Sequence, residues 1–305
     1  MTSTTLHFLS YNVHLFLGTV VGNFDLVTKF LNKVSADVPR QKYEDSKRLD
    51  SIIAEVQKIN PDIVGFSEVW ANDSKKKFIS GLKSQLEYSV WDKNEDPLEM
   101  GSGLLLLSRY PLSDVSFTKY NRLSGSDSKS QKGFLMATAK IDSQKLLIVH
   151  THTQADDNND AIEARKDNIN QLHSSISSAA DRSIPVILLG DLNIIGENES
   201  DTSTNEYEFL CDILKQSQMF DSYRTLNPNT ALDLGYTCDA VNNRLIKYFA
   251  PSDAKKKVRQ RLDYMFARGI TPTSVTVPKT FTFQTSDGTM DLSDHYPLDG
   301  HFLLP

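Results

Sequence analysis

Apolar and polar positions alternate along the chain in short runs of strand character. These are "LHFLSYNVHLF" (6–16), "DIVGFSEVW" (62–70), "GLLLLSRYPL" (103–112), "FLMATAKI" (134–141), "KLLIVHTHT" (145–153), "VILLGDLNI" (186–194), "RLDYMFA" (261–267) and "TSVTVPKTFTF" (273–283). Helical spacing sits between some of them. Residues 43–60 place Leu49, Ile52, Ile53 and Val56 on one face and stop at Asn60-Pro61. Residues 160–180 place Ile162, Ile169, Leu172 and Ile176 likewise, and 206–217 form a shorter third helix. Turn residues mark 124–133 and 227–235 as surface loops. With no repeat and no long linker, one domain over 1–305 is expected: α/β, with two β-sheets packed face to face and helices outside. An ordinary α/β sheet fits the same pattern.

Composition narrows the classes. The chain has 305 residues, 39% hydrophobic, and its longest apolar runs are strand-sized, so no transmembrane segment is expected. The start "MTSTTLHFLSYNV" has no basic region followed by a long apolar stretch, which predicts a cytoplasmic or peripheral membrane protein, or a secreted one if a signal peptide has been removed. Its two cysteines, Cys211 and Cys238, form no disulfide framework and no metal-spacing motif. A net charge of −6 argues against a non-specific nucleic-acid binder, which gains from a basic face.

Candidate chemistry lies at the ends of the apolar runs. "LSYN" ends in Asn12, "IVGFSEVW" carries Glu68 with Trp70, "VILLGDLN" ends in Asp191 and Asn193, "RLDYMF" carries Asp263, and "LSDHYPL" carries Asp294 beside His295. A carboxylate among Val, Ile and Leu is costly to bury unless paired or bound to a cation. Taken together, these segments point to one shared site. Oxygen donors without thiolates suit a hard cation, Mg2+, with Mn2+ or Co2+ as alternatives. Asp beside His suits general-base chemistry. In "LLIVHTHTQADD", His150 and His152 share a strand face.

In their order, "SYN", "SEVW", "GDLN", "RLDY" and "SDHYP" resemble the motifs of the endonuclease/exonuclease/phosphatase superfamily across nearly the whole chain. The resemblance implies a four-layered α/β sandwich and a metal-dependent phosphodiesterase or phosphatase. It implies Glu68 as principal metal ligand, Asn12 as the supporting amide and Asp294 as a carboxylate at the metal or its hydrogen-bonded shell. It further implies Asp191 and Asn193 as the pair that aligns the attacking water, and His295 as the histidine at the phosphate, oriented by Asp263.

"THTQA" resembles the T-H-x-Q-A segment of neutral and bacterial sphingomyelinases, which nominates His152 at the phosphate and Gln154 beside it. "QKGF" (131–134) and the run 238–266 resemble the same branch. His150 then lies one pleat deeper, as a structural residue. Cys238 and Thr153 depart from the tryptophan and leucine usual there. The expected reaction is Mg2+-dependent hydrolysis of a sphingomyelin-type phospholipid to phosphocholine and ceramide, with His295 as base, at a membrane surface that the protein touches peripherally. A nuclease and an inositol-phosphate phosphatase on the same fold are the alternatives, and a non-catalytic binding module is a third.

Several features keep two readings. Trp70 either meets a choline cation through its π face or packs at the sheet rim. "LFLGTVVGNF" (15–24) either touches lipid or begins a buried helix, and the basic run 253–261 reads as a solvated loop. "KTFTF" (279–283) reads as core, and His7, His14, His173 and His301 receive no role.

Overall fold

Parallel strands need a crossover long enough to carry a helix, and the chain makes such a crossover at corresponding places in two sheets. The computed structural model describes residues 3–15, 45–92, 100–179, 183–197, 204–229, 234–246 and 258–305. In chain order the elements begin β1 (Thr4–Leu15), α1 (Asp45–Ile59), β2 (Ile63–Val69), α2 (Asn72–Leu82), β3 (Tyr88–Trp91), β4 (Leu105–Ser108) and β5 (Leu112–Lys119). Next come β6 (Gly133–Ile141), β7 (Gln144–His152), α3 (Asn159–Ala179), β8 (Val186–Asp191), α4 (Asn205–Lys215), β9 (Phe220–Asp221) and α5 (Ser222–Leu226). The rest are β10 (Cys238–Asp239), β11 (Arg259–Gln260), β12 (Asp263–Arg268), β13 (Thr271–Thr276), β14 (Thr282–Thr285), β15 (Gly288–Asp291) and β16 (Leu298–Leu304).

The first six-stranded sheet runs β13-β16-β1-β2-β4-β3 and the second β5-β6-β7-β8-β12-β9. β1 pairs β2 in parallel, and β7 pairs β8 in parallel; their other neighbours in each sheet are antiparallel. Leu6, Phe8, Ile63 and Leu106 meet Leu135, Ile148, Leu189 and Met265 between the sheets. On the outer face of the first sheet Leu9, Tyr11, Val64 and Phe66 pack with Ile52, Val56, Phe78 and Leu82. On that of the second, Phe134, Val149, Leu188 and Phe266 pack with Ile169, Leu172 and Leu210. The layers are therefore helices, sheet, sheet, helices, as the motifs implied. Because β2, β4 and β8 are covered on both faces, they read as continuous apolar runs instead of alternating ones. A truncation such as Ile148→Ala in the inter-sheet layer is expected to cost about 2–5 kcal/mol.

α1 ends as its sequence predicts: Asn60 takes the left-handed conformation (φ 50°), donates its N–H to the Val56 carbonyl at 2.9 Å, and Pro61 prevents continuation. α2 is not visible in the pattern, because "NDSKKKFISGL" offers only a thin apolar stripe around a lysine run. The run 103–112 is two strands separated at Pro111, and 273–283 is also two, since β13 stops before Pro278, which has no N–H for a ladder. The loop at 124–133 is not wholly a surface loop. Asp127, Ser130 and Lys132 are buried there, Lys132 to 2% exposure. Residues 16–24, 230–233 and 253–257, which include most of the proposed lipid-touching segment, lie outside the described residues.

Candidate active site

β1, β2, β7 and β8 all end at one edge of the sandwich, where open α/β sheets present their sites. The register brings the candidates together: His152 of β7 lies opposite Asp191 of β8, and Asp191 lies opposite Asp263 of β12. In the facing sheet Asn12 lies beside Ser67, one residue before Glu68. Glu68, Asn193 and His14 adopt left-handed φ values of 61°, 48° and 47°. Such backbone costs about 1–3 kcal/mol per non-glycine residue and collects at functional sites.

Asn12 links the two sheets. Its Nδ2 donates to Glu68 Oε1 at 3.1 Å and to Asp191 Oδ2 at 2.9 Å. His295 Nδ1 lies 2.7 Å from Asp263 Oδ2, and its Nε2 faces Asp191 Oδ2 at 3.9 Å. His152 Nε2 stands 3.7 Å from the same Asp191 oxygen and 3.9 Å from Glu68 Oε1. Asn193 donates its backbone N–H to Asp191 Oδ1 at 2.8 Å and its amide to the Thr153 carbonyl at 3.1 Å. Asp294 sits at the rim, accepting from Ser293 Oγ at 3.1 Å.

Electrostatics separates the histidines. Burial alone would hold His295 uncharged, but the charge and hydrogen bond of Asp263, with Asp191 and Asp294 behind, raise its pKa well above the ordinary value. Burial and the nearby Lys132 charge push His152 well below it, so His152 is a neutral ring. Environments that drive two groups of one kind apart assign them different roles. Asp191 is pushed up by burial and by the charge of Asp263. Glu68, which burial would also raise, is held far below the carboxylate range by His14, with His152 and Lys132 adding to the effect.

The structure adds residues that the sequence pattern did not single out. His14 Nδ1 lies 3.3 Å from Glu68 Oε2 and 3.4 Å from Asp294 Oδ2, between the two carboxylates expected at the metal. Arg48 of α1, fully buried, donates to the carbonyls of Val13, His14 and Leu292 and so fixes the two backbone segments that carry His14 and Asp294. A signal for it existed: Arg48 falls four residues before Ile52, on the apolar stripe of its helix. Lys132 Nζ donates to Asp127 Oδ2 at 2.8 Å and to the Thr153 carbonyl at 3.0 Å.

Gln154, nominated beside His152, has its amide bonded to the 124 loop. It is fully buried, its Oε1 accepts from Ser124 N at 2.7 Å, and its Nε2 donates to the Ser124 and Ala155 carbonyls, so its amide braces that loop. Trp70 is 8% exposed, lies against Gly103 and has its ring 6.3 Å from that of His152. His150 is structural: fully buried between the sheets, it places Nε2 2.9 Å from the Phe66 carbonyl.

The donor chemistry fits a hard cation. Glu68 and Asp294 offer carboxylate oxygens on either side of His14, and Asn12 links Glu68 to Asp191. In the same cleft Asp191, Asp263 and His295 have ligand atoms within 4.8 Å of one another, and Asp263 Oδ1 is buried with no hydrogen-bond partner among the described residues. An orphaned carboxylate oxygen beside a second carboxylate is short of positive charge.

Residues 9–295 match the model of the Endonuclease/Exonuclease/phosphatase family. The chain belongs to this family. Among curated proteins it is 25% identical over 286 residues to "Phospholipase C" of Staphylococcus aureus, covering 84% of this chain and 80% of that protein. It is 24% identical over 288 residues to "Sphingomyelinase C" of Bacillus cereus, covering 83% and 81%. Among solved structures, Sphingomyelinase C from Streptomyces griseocarneus superposes with a TM-score of 0.71 at 20% identity, over 98% of this chain and 99% of that one. A beta toxin variant from Staphylococcus aureus with bound magnesium ions superposes with a TM-score of 0.68 at 19% identity, over 97% and 99%. Within the family, the chain falls on the sphingomyelinase-like branch.

Proposed function

We propose that this protein hydrolyses a sphingomyelin-type phospholipid to phosphocholine and ceramide, using Mg2+ held at the strand-end cleft. Its place in the family and branch makes it a hydrolase of phosphoric diesters. One observation carries the choice of base: Asp263 lies 2.7 Å from His295 Nδ1, which leaves Nε2 turned toward Asp191 inside the cleft.

Glu68 and Asp294, with Asn12 as supporting amide, would hold the cation. When bound, it supplies positive charge to the phosphate and to the charge that develops in the transition state. In its uncharged form, which the raised pKa puts above the acid limb of the pH–rate profile, His295 takes the proton of the attacking water at Nε2, while Asp263 holds the ring in the Nδ1–H tautomer and stabilises the imidazolium that forms. Asp191 and Asn193 align that water. His152, kept neutral, donates from Nε2 to a phosphate oxygen. As the bond from the water oxygen to phosphorus forms, the bond from phosphorus to the ceramide oxygen breaks; that oxygen takes a proton from solvent, and His295 returns the one it collected. The magnesium ions in the related toxin structure support this choice of cation, and the names of the curated relatives support the substrate. Trp70, with its ring 6.3 Å from that of His152, would meet the choline end of the headgroup in this reading. Among the described residues no helix is long and apolar enough to cross a membrane, so lipid is reached from outside in this reading.

The test is phosphocholine release from sphingomyelin in mixed micelles, with Mg2+ and with EDTA, for the native chain and His295→Ala. Metal-dependent release that is lost in the variant supports the reading. No release, while the same sample cleaves a nucleotide or inositol-phosphate ester, overturns the substrate and keeps the site.

A further inference from the structure

On the outer face of the first sheet, away from the cleft, β1 and β16 bring together side chains that the reaction does not use. His7 and His301 are directly opposite each other in the antiparallel register, and Asp299 precedes His301 by two residues, on the same face. The two imidazoles stack with centroids 4.1 Å apart and planes inclined by 17°. Asp299 Oδ1 lies 2.8 Å from His7 Nε2 and 3.8 Å from His301 Nδ1, and one ligand atom from each residue falls within 4.8 Å of the other two.

From these juxtaposed residues we propose a second metal site, distinct from the catalytic one, in which His7, Asp299 and His301 bind a borderline divalent ion of the zinc class. Imidazole nitrogen with a single carboxylate suits Zn2+ better than Mg2+, which takes oxygen donors. Zinc–ligand bonds of about 2.0–2.1 Å at a tetrahedral angle set donors about 3.3 Å apart. The two distances from Asp299 bracket that value. The stacked rings have to turn out of their parallel arrangement for both in-plane nitrogen lone pairs to meet one ion, and the half-exposed His301 is the ring with room to do so. The Asp299 and His7 side chains are 17% and 15% exposed and His301 is 43% exposed, which leaves the outward coordination position to water.

The site is independent of the cleft. His7 precedes Asn12 by five residues, roughly 16 Å along β1, and faces the helix layer, whereas Asn12 faces the second sheet. An ion there would tie the first strand of the described chain to the last, so its role is structural. Binding the folded state alone stabilises it by mass action.

The test is zinc titration of metal-stripped full-length chain in excess Mg2+, followed by calorimetry, with denaturation midpoints measured in parallel. The native chain and Glu68→Ala should each bind a zinc equivalent that raises the midpoint. His301→Ala should lose more than the roughly 10–100-fold in affinity that removing an outer-shell partner costs, and lose the midpoint shift with it. His301 is half-exposed, so the variant should fold; a far-ultraviolet spectrum checks this, and Asp299→Asn is the second variant. Zinc binding that survives in both variants, is lost in Glu68→Ala, or is absent from the native chain overturns the site.

Discussion

Two buried groups of charge meet at the start of β12, and they are put together on opposite terms. Arg261 is fully buried and bonds Glu197 through Nε at 2.9 Å and Nη2 at 2.7 Å, and Asp221 through Nη1 at 2.6 Å. Arg224 adds a bond to Glu197 at 2.6 Å, and Tyr207 donates its hydroxyl to Asp221 at 2.7 Å. Each charge there has an opposite partner. Two residues further along, Asp263 opens the cleft, where among the described residues the positive partners near Glu68, Asp191, Asp263 and Asp294 are histidines and a lysine already bonded to Asp127. Glu197 is lowered, because the bonds from Arg261 and Arg224 overcome its burial, whereas Asp191 is raised by burial and by Asp263. Burial of charge is common to both regions, and it marks structure as readily as function. The imbalance is what marks the site.

The comparison breaks most visibly in turnover. His295→Ala is expected to lower hydrolysis by about 10²–10⁴-fold, while Glu197→Gln lowers it only as far as the fold is lost. Asp263→Asn should fall in the same range. Because Asp263 is the principal charge that raises His295, this variant should also move the acid limb of the pH–rate profile to lower pH. A limb that stays in place would show that another group titrates.

Stability gives the next largest effect. Glu197→Gln leaves Arg261 short of a buried partner and is expected to cost about 3–5 kcal/mol, read from denaturant midpoints at constant slope. The pH dependence differs in sign between the regions. Glu197 has a lowered folded pKa, so its contribution is present above the ordinary glutamate value and is lost as pH falls through the folded one. Asp191 has a raised folded pKa, so in metal-free protein stability falls as pH rises from the ordinary aspartate value through the raised one. Stability profiles of the two amide variants against the native chain separate these slopes. One further effect is static: Asp191→Asn without metal should cost no stability at neutral pH, because the carboxylate it removes is one that burial and the charge of Asp263 disfavour.

Much of this was legible in the sequence, for identifiable reasons. Strands buried on both faces announce themselves as apolar runs, and Asn12, Glu68, Asp191 and Asp263 stand at their ends because strand termini are where a sheet offers polar groups. The helix α2 was hidden by its lysines, although Lys75 is buried against Asp92 at 2.8 Å. His14 follows Asn12 by two residues, yet only the left-handed turn at each of His14 and Glu68 brings the pair together, and a pattern of side chains does not report φ. The partners of the Gln154 amide were not legible, because adjacency to His152 in sequence says nothing of where an amide finds partners; here they lie on the 124 loop. Lys132 enters the site from a stretch that turn chemistry alone places at the surface.

The most direct measurement is the denaturation midpoint of the native chain and Asp191→Asn, each in EDTA and in saturating Mg2+. If the cleft is built for a cation, the variant is at least as stable as the native chain in EDTA, and Mg2+ stabilises the native chain more than the variant. A variant that is destabilised in EDTA as Glu197→Gln is, with Mg2+ shifting both proteins equally, would contradict it.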